Sequence, residues 1–262
     1  MRSPFLSCTL FAFAALAGCA REPEGYPHPV FQAGLFQKRH GVCDSTGAPC
    51  ARVRIEYLTV REGVEGPVRD SLEAAVRTRL VGAGGEGPPY ASFQALADSF
   101  IGDYRSLQRA FPDYRTPWHL ERRAVALRDT AGYVSIAISE NAYAGGAHPN
   151  TSTLYVTLDV TTGRSVSLDA LLAPGGRDTL TAIGERLFRL KRHLSPGARL
   201  DSAGFWFEDN TFRLNENFAL GTAGLIFTFN QYEIAPYATG PTEIVLPYRD
   251  LQGILLLRGV TR

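Results

Sequence analysis

The hydrophobic and polar positions divide the chain into an N-terminal apolar run, a polar stretch rich in proline, and a long region of alternating and helical periodicities. Arg52-Val53-Arg54-Ile55-Glu56-Tyr57-Leu58-Thr59-Val60 alternates and predicts a first strand. Pro67, with Asp70 and Glu73 behind it, marks the start of a helix whose apolar stripe is Val68, Leu72, Val76 and Leu80. Glycine and proline from 82 to 89 require a loop. A second helix is predicted over 92–111, with Phe93, Leu96, Phe100, Tyr104, Leu107 and Phe111 on one face, and Pro112 ends it. Strands then dominate. Segments 118–127 and 133–143 flank Asp129-Thr130-Ala131-Gly132 as a hairpin. Segment 151–160 puts Leu154, Val156, Leu158 and Val160 on one face. A third helix over 177–194 carries Leu180, Ile183, Leu187, Leu190 and Leu194. Its last turns hold Arg189, Lys191, Arg192 and His193, where cations suit the helix dipole. Strands at 211–220 and 224–230 form another hairpin, and Pro247 places a last strand, 242–246, at a sheet edge. Helices interleaved with hairpins predict an α+β fold, an antiparallel sheet or sheets with about three helices packed on one side.

The first residues read as an address. Met1-Arg2 is a short positive start, the run from Phe5 to Leu16 is too short for a permanent membrane span, and it ends in Leu16-Ala17-Gly18-Cys19. This resembles a bacterial lipobox, so residues 1–18 are expected to be a signal peptide and Cys19 the lipidated new N-terminus. Acyl chains contribute roughly 0.8 kcal/mol per buried methylene, and two or more chains anchor stably. The membrane is then engaged through the N-terminal lipid alone. Residues 19–40 are expected to be a tether. Ala20, rather than Asp, after the cysteine resembles the outer-membrane default, which places the domain in the bacterial cell envelope, on the periplasmic face of the outer membrane in a Gram-negative cell. Of the four cysteines, Cys8 leaves with the signal and Cys19 is acylated. Cys43 and Cys50, separated by Asp-Ser-Thr-Gly-Ala-Pro, are expected to form a local disulfide, since the compartment is oxidising and the interval is rich in turn residues. A redox or metal pair is the alternative, but the spacing is not Cys-x-x-Cys and no histidine stands close enough for a zinc set.

Composition narrows the function. The chain has 262 residues, 45% hydrophobic and 20% charged, with 27 basic and 26 acidic residues and a net charge of +1, so no nucleic-acid partner is expected. Only Lys38 and Lys191 of the basic residues are lysine, which is read as codon bias. Gly82-Ala83-Gly84-Gly85-Glu86-Gly87 satisfies a dinucleotide-binding pattern, but a helix precedes it and Pro88-Pro89 follows where a helix should begin. Walker, His-Glu-x-x-His and Gly-x-Ser-x-Gly sequences are missing. Asp201, Glu208, Asp209 and Glu216 decorate a loop without EF-hand spacing. No cofactor, metal or catalytic residue is therefore expected. The distinctive segment is Tyr143-Ala144-Gly145-Gly146-Ala147-His148-Pro149-Asn150, which joins two strands. Its glycines permit positive φ, and His148-Pro149 forces an extended exit. His148 either braces this turn or belongs to a recognition surface.

That segment, followed by Leu158-Asp159-Val160-Thr161-Thr162-Gly163-Arg164, Ser167-Leu168-Asp169-Ala170-Leu171-Leu172 and the stretch Phe227-Thr228-Phe229-Asn230-Gln231-Tyr232-Glu233-Ile234-Ala235-Pro236-Tyr237-Ala238-Thr239-Gly240-Pro241, resembles the domain of unknown function shared by RsiV and PdaC. The resemblance covers Tyr143 to Leu251. It implies an α+β envelope domain associated with cell-wall stress or wall binding: in the first relative the domain belongs to an anti-sigma factor and binds lysozyme, and in the second it precedes a peptidoglycan deacetylase module. It divides the chain into an N-terminal PdaC-like half, 41–140, and a C-terminal RsiV-like half, 141–262, packed as one compact unit. The leading expectation is a lipid-anchored, non-enzymatic envelope protein that binds a lysozyme-like protein or peptidoglycan. Its candidate binding loops carry Tyr143, Gly145, Gly146, His148, Asn150, Tyr232 and Tyr237. The alternatives are a wall hydrolase or deacetylase-like enzyme using His148, paired with a carboxylate such as Glu233 or Asp159, and a structural or assembly lipoprotein without a small ligand.

Overall fold

A computed structural model describes residues 25–43, 48–82 and 88–257. The signal segment 1–18, Cys19 and the glycines of 83–87 lie outside the described residues. Strands β1 (Val30–Gly41), β2 (Cys50–Glu62), β3 (Trp118–Thr130), β4 (Tyr133–Tyr143) and β5 (Asn150–Asp159) form one sheet in that order. Strands β6 (Phe218–Leu220), β7 (Gly224–Phe229) and β8 (Thr242–Pro247) form a second. The α+β class is as expected, and β8 stands at an edge of its sheet.

The pairing is not purely antiparallel. Strands β2 and β3 run parallel, with Val53 opposite Leu120, because helices α1 (Gly66–Gly82) and α2 (Phe93–Ala110) carry the chain back across one face before β3 begins. Helix α1 buries Leu72, Val76, Leu80 and Val81, and α2 buries Phe93, Leu96, Ala97, Ile101 and Tyr104. Most of these pack on Val53, Ile55, Leu120, Ile136, Ile138, Val156 and Leu158, the inward positions of alternating strands, while Ile101 and Tyr104 pack with Ala51 and Trp118. The Ser92 hydroxyl caps α2 by accepting the Ala95 N–H at 3.1 Å. Among the described residues no helix lies over the opposite face of this sheet, which the second sheet covers only at its β4–β5 end, and this is why its strands read as apolar on one side and polar on the other.

Helix α3 (Gly176–Lys191) serves the second sheet. It buries Leu180, Gly184 and Phe188, so the expected stripe is rotated, and Leu190 is 63% exposed. Phe188 anchors a ring cluster with Phe205, Phe212 and Phe207 at 4.9, 5.2 and 5.5 Å. The short strand β6 begins only at Phe218; segment 211–217, expected as strand, instead offers the side chains of Asn215 and Asn217 to its surroundings.

Two further expectations are corrected. The tether drawn over 19–40 is strand from Val30 onward, paired with β2 from Val30 opposite Glu62 to Gly41 opposite Cys50. The division between 140 and 141 falls within β4, which pairs with β3 on one side and β5 on the other. The Cys43–Cys50 disulfide does form, with Cα atoms 5.3 Å apart, and ties the β1–β2 connection. Closing so short a loop stabilises by about 2–3 kcal/mol on the chain-entropy model.

Among the described residues no strand lies beside most of the outer edge of β5, and side chains close it. The Thr153 N–H donates to Asn230 Oδ1 (2.7 Å), and the Thr153 carbonyl accepts from Asn217 Nδ2 (2.8 Å) and Asn230 Nδ2 (3.1 Å). The Tyr155 N–H donates to Asn217 Oδ1 (2.8 Å). Further along, Val166 N–H reaches the Thr157 carbonyl and Asp159 N–H the Arg164 carbonyl, each at 2.9 Å. Behind this edge the buried Ser135 hydroxyl accepts the Leu220 N–H and shares a hydrogen bond with Thr157 Oγ1, both 2.8 Å. Two primary amides thus do the work of a neighbouring strand and dock the second sheet on the first. Asn217→Leu strands the Tyr155 N–H and is expected to cost about 2–3 kcal/mol; Phe188→Ala, which empties the aromatic cluster, is expected to cost about 3–5 kcal/mol. Denaturant unfolding measures both, and a loss below about 1 kcal/mol for Asn217→Leu would contradict a stabilising role for the amide edge.

Candidate functional site

The connection between β4 and β5 is built on glycine. Gly145 (φ 88°) and Gly146 (φ 101°) sit where side chains are disfavoured, and a Cβ on Gly145 would lie 3.0 Å from Tyr114 Oη. Tyr143 Oη donates to the Gly146 carbonyl at 2.8 Å and pins the turn. Beyond it the His148 ring stacks on Tyr237 with centroids 3.5 Å apart and planes 20° from parallel. Tyr232, itself at φ 65°, flanks the stack with its centroid 6.3 Å from that of His148. His148 Nδ1 is 3.1 Å from the Pro149 carbonyl and Nε2 is 3.2 Å from Tyr232 Oη. One neutral tautomer satisfies both: Nδ1–H donates to the carbonyl, and Nε2 accepts the phenol proton. Tyr237 Oη donates to the same Pro149 carbonyl at 3.0 Å.

Of the expected loop residues, the structure brings His148, Tyr232 and Tyr237 together, while Tyr143, Gly145 and Gly146 shape the turn beside them. Asn150 opens β5 opposite Ala142. The carboxylates weighed as partners of His148 are engaged elsewhere. Glu233 accepts from the Asn230 N–H (2.8 Å) and from Asn215 Nδ2 (2.6 Å). Asp159 Oδ1 caps the following turn through the Thr161 N–H (2.8 Å) and hydroxyl (2.6 Å). In the acidic loop, Asp201 is paired with Arg199, and Glu216 with Arg177 at 2.8 Å. Among the described residues no group of three or more His, Cys, Asp or Glu converges to hold a metal, and no helix is long and apolar enough to cross a membrane.

A polar trough lies on the open part of the other face of the five-stranded sheet, which no single residue of the sequence announces. A cleft of about 450 Å³ is lined by Arg54, Glu56, Glu121, Arg123, Ser139, Asn141, Thr151 and Thr153, with Asn230 and Pro241 as a wall from the second sheet. A neighbouring hollow continues it over Gln37, Arg39 and Arg52 and shares Arg54 and Glu121. The pairing registers set these side chains in rows. One row is Gln37, Arg54, Glu121, Asn141 and Thr151; the next includes Glu56, Arg123, Ser139 and Thr153. Ion pairs lace them: Arg52–Glu121 at 2.9 Å, Arg54–Glu56 at 2.6 Å and Arg123–Glu56 at 3.1 Å. The hydrogen bond from Arg54 holds the Glu56 carboxyl below its ordinary range, with the charges of Arg123 and Arg54 adding to it. On the helix side of the same strands a buried pair, Arg122–Glu140 at 2.7 Å, braces the sheet, and Arg122 Nη1 also donates to the Leu80 carbonyl near the end of α1. Where the two sheets meet, the Tyr155 hydroxyl lies 3.1 Å from Thr228 Oγ1 and 3.4 Å from Glu243 Oε2, and burial raises its pKa.

The aromatic residues of the stack and the amide wall fall in or beside one matched segment. Residues 169–249 match the model of DUF3298, a protein family of unknown function. The match takes in α3, the second sheet, Asn217, Asn230, Tyr232 and Tyr237, and leaves the His148 loop outside it. In fold the chain is similar to a DUF3298 family member from Bacteroides fragilis, with a TM-score of 0.68 and 20% identity over 87% of this chain and 95% of that one. It is similar also to a DUF3298 family protein from Pseudomonas aeruginosa, with a TM-score of 0.64 and 20% identity over 86% and 94%. Among curated proteins none matches significantly.

The stack has a direct spectroscopic signature. The His148 ring protons are expected to resonate upfield of ordinary histidine values because they lie over the Tyr237 face. NMR of Tyr237→Leu should return them to ordinary positions, while Tyr237→Phe keeps the shift. An unshifted His148 signal in the unaltered protein contradicts the stack.

Proposed function

We propose that this protein is a non-enzymatic binding module of the cell envelope, anchored by lipid on Cys19, which takes a protein or peptidoglycan partner at the Tyr232–His148–Tyr237 stack. The observation that carries this reading is how the stack is made. Two loops, one from each sheet, meet ring on ring, and the polar atoms of all three residues are spent on one another or on the Pro149 carbonyl. Tyr232 is 53% exposed. Such an arrangement offers a rigid aromatic surface that loses little conformational entropy on binding, which favours recognition by ring faces. The lipobox-like Leu16-Ala17-Gly18-Cys19 supports the anchorage, and the resemblance of the loop motifs to RsiV and PdaC supports a wall-associated partner.

The chain from residue 20 onward, free of its anchor, tests the reading. It is expected to be retained on a column bearing lysozyme or muropeptides, and Tyr232→Ala and Tyr237→Ala should elute early from whichever column retains it. Passage of the unaltered protein through both columns overturns the proposal.

A further inference from the structure

We propose that the trough on the uncovered face of the five-stranded sheet is a docking site for an extended acidic peptide segment of a partner protein, one whose acidic side chains fall at alternate positions. The inference deepens the binding reading but uses a different surface. Among the described residues whose side chains turn to this face there, Arg39, Arg52, Arg54 and Arg123 meet Glu56 and Glu121, so the face carries an excess of positive charge in a chain that is otherwise nearly neutral. The two carboxylates do not consume the guanidinium donors. Each guanidinium has five N–H groups, and the bonds to Glu56 and Glu121 use one on Arg52 (Nη2), two on Arg54 (Nε and Nη2) and Nε of Arg123. These pairs hold Arg52, Arg54 and Arg123 in place, and the remaining N–H groups of the guanidiniums are left for a further anion.

The spacing selects the shape of the occupant. Arg52 and Arg54 stand two residues apart on one strand, about 6.6–6.8 Å, and an extended peptide repeats its side chains on one face at the same interval. Aspartates or glutamates at positions i and i+2 therefore meet successive guanidiniums, with fork-shaped contacts that favour arginine over lysine. Across β4 and β5 the lining changes to Ser139, Asn141 and Thr151, so the guanidiniums are confined to β1, β2 and β3. The face is bounded at that end by Asn230 and Pro241, so the segment lies along the strands of the open part of the sheet.

The test is fluorescence anisotropy on the detergent-solubilised full chain with labelled peptides and a labelled saccharide. An (Asp-Ser) repeat of about eight residues spans the Arg52–Arg54 interval several times over. It is expected to bind, and to weaken about tenfold as salt rises from about 0.05 to about 0.3 M, because the contacts are exposed and screened. A peptide of the same composition with its aspartates in one block is expected to bind several-fold more weakly. Arg39→Glu and Arg52→Gln should each weaken the repeat at least about fivefold. Arg39 lies on the edge strand β1, so Arg39→Glu decides the matter if Arg52→Gln disturbs folding, which melting by circular dichroism reports. No binding of the repeat, equal affinity for the blocked peptide, affinity unchanged in Arg39→Glu, or tighter binding of an oligogalacturonate than of the peptide each overturns the proposal. The peptide readout does not pass through the aromatic stack. Protein that binds the repeat but is not retained on the lysozyme or muropeptide columns fails only the earlier reading, and the reverse result fails only this one.

Discussion

Both the shape of this molecule and the position of its candidate site depend on how one strand edge is finished. An unpaired edge of β5 buried against the second sheet would leave backbone N–H and C=O groups without water or partners, a loss of about 1–3 kcal/mol for each group. Asn217 and Asn230 supply the missing donors and acceptors at Thr153 and Tyr155, and the returning segment supplies them at Thr157 and Asp159. A side-chain amide carries the same donor and acceptor as a peptide unit, so it substitutes for a strand without requiring the chain to run as one. This lets the second sheet remain separate from the first rather than extend it. The consequence is local and functional: Asn230 leads directly into Gln231, Tyr232 and the loop that ends at Pro241. Thr151, bonded to Gln231 at 2.9 Å, leads back to Pro149 and His148. The amide clamp therefore sets the distance at which Tyr237 meets His148 and at which the wall of the trough stands over the sheet.

What could be read from sequence follows from which faces are covered. Strands β3, β4 and β5 alternate because helices cover one face only, and Leu120, Ile136, Ile138, Val156 and Leu158 announce that face directly. Strand β1 does not announce itself. The positions it turns toward the helices include Gly34, Phe36, Lys38 and His40. Lys38 is satisfied by Asp98 of α2 and His40 by an edge contact with Tyr104, both far away in sequence. Polar residues paired across such a separation look like a tether until the pairing is seen. In α3 the same difficulty takes another form. Leu180, Ile183, Leu187, Leu190 and Leu194 make a convincing stripe, yet the fully buried face is Leu180, Gly184 and Phe188, since glycine admits Leu214 close to the helix, while Ile183, Leu187 and Leu194 are only partly buried. Extending strand β6 back to residue 211 overlooked that asparagines in that stretch are more useful as edge partners than as strand residues.

The site was half legible for a related reason. Paired glycines, a histidine before proline and flanking tyrosines mark a constrained turn from sequence alone, and the disulfide of Cys43 and Cys50 agrees with the short turn-rich interval between them. The ring-on-ring contact of His148 and Tyr237 joins distant parts of the chain and depends on the docking of two sheets, as does the Tyr237–Pro149 bond, whose partners are 88 residues apart. The arginine trough required still more: it exists only once the registers of β1 through β5 are known. Arg52, Arg54 and Arg123 are individually unremarkable polar positions on alternating strands. Their significance is relational.

That relation also explains why a sheet can leave one face without a helix. A bare polar face of separate arginines would be a set of mobile cations, each retaining its rotamer freedom and repelling its neighbours. Laced through Glu56 and Glu121 they become a lattice in which side chains from adjacent strands fix one another, although each exposed pair alone contributes little to stability. The lowered pKa of Glu56 sets the sign of its pH dependence. The stabilisation is fully present above the ordinary carboxylate range and is lost as pH falls through the depressed value, so the lattice is intact near neutrality and loosens in acid. An ordered array of guanidiniums costs less entropy to engage than a disordered one. The same carboxylates that reduce the charge of the face thereby make the charge that remains better placed to bind.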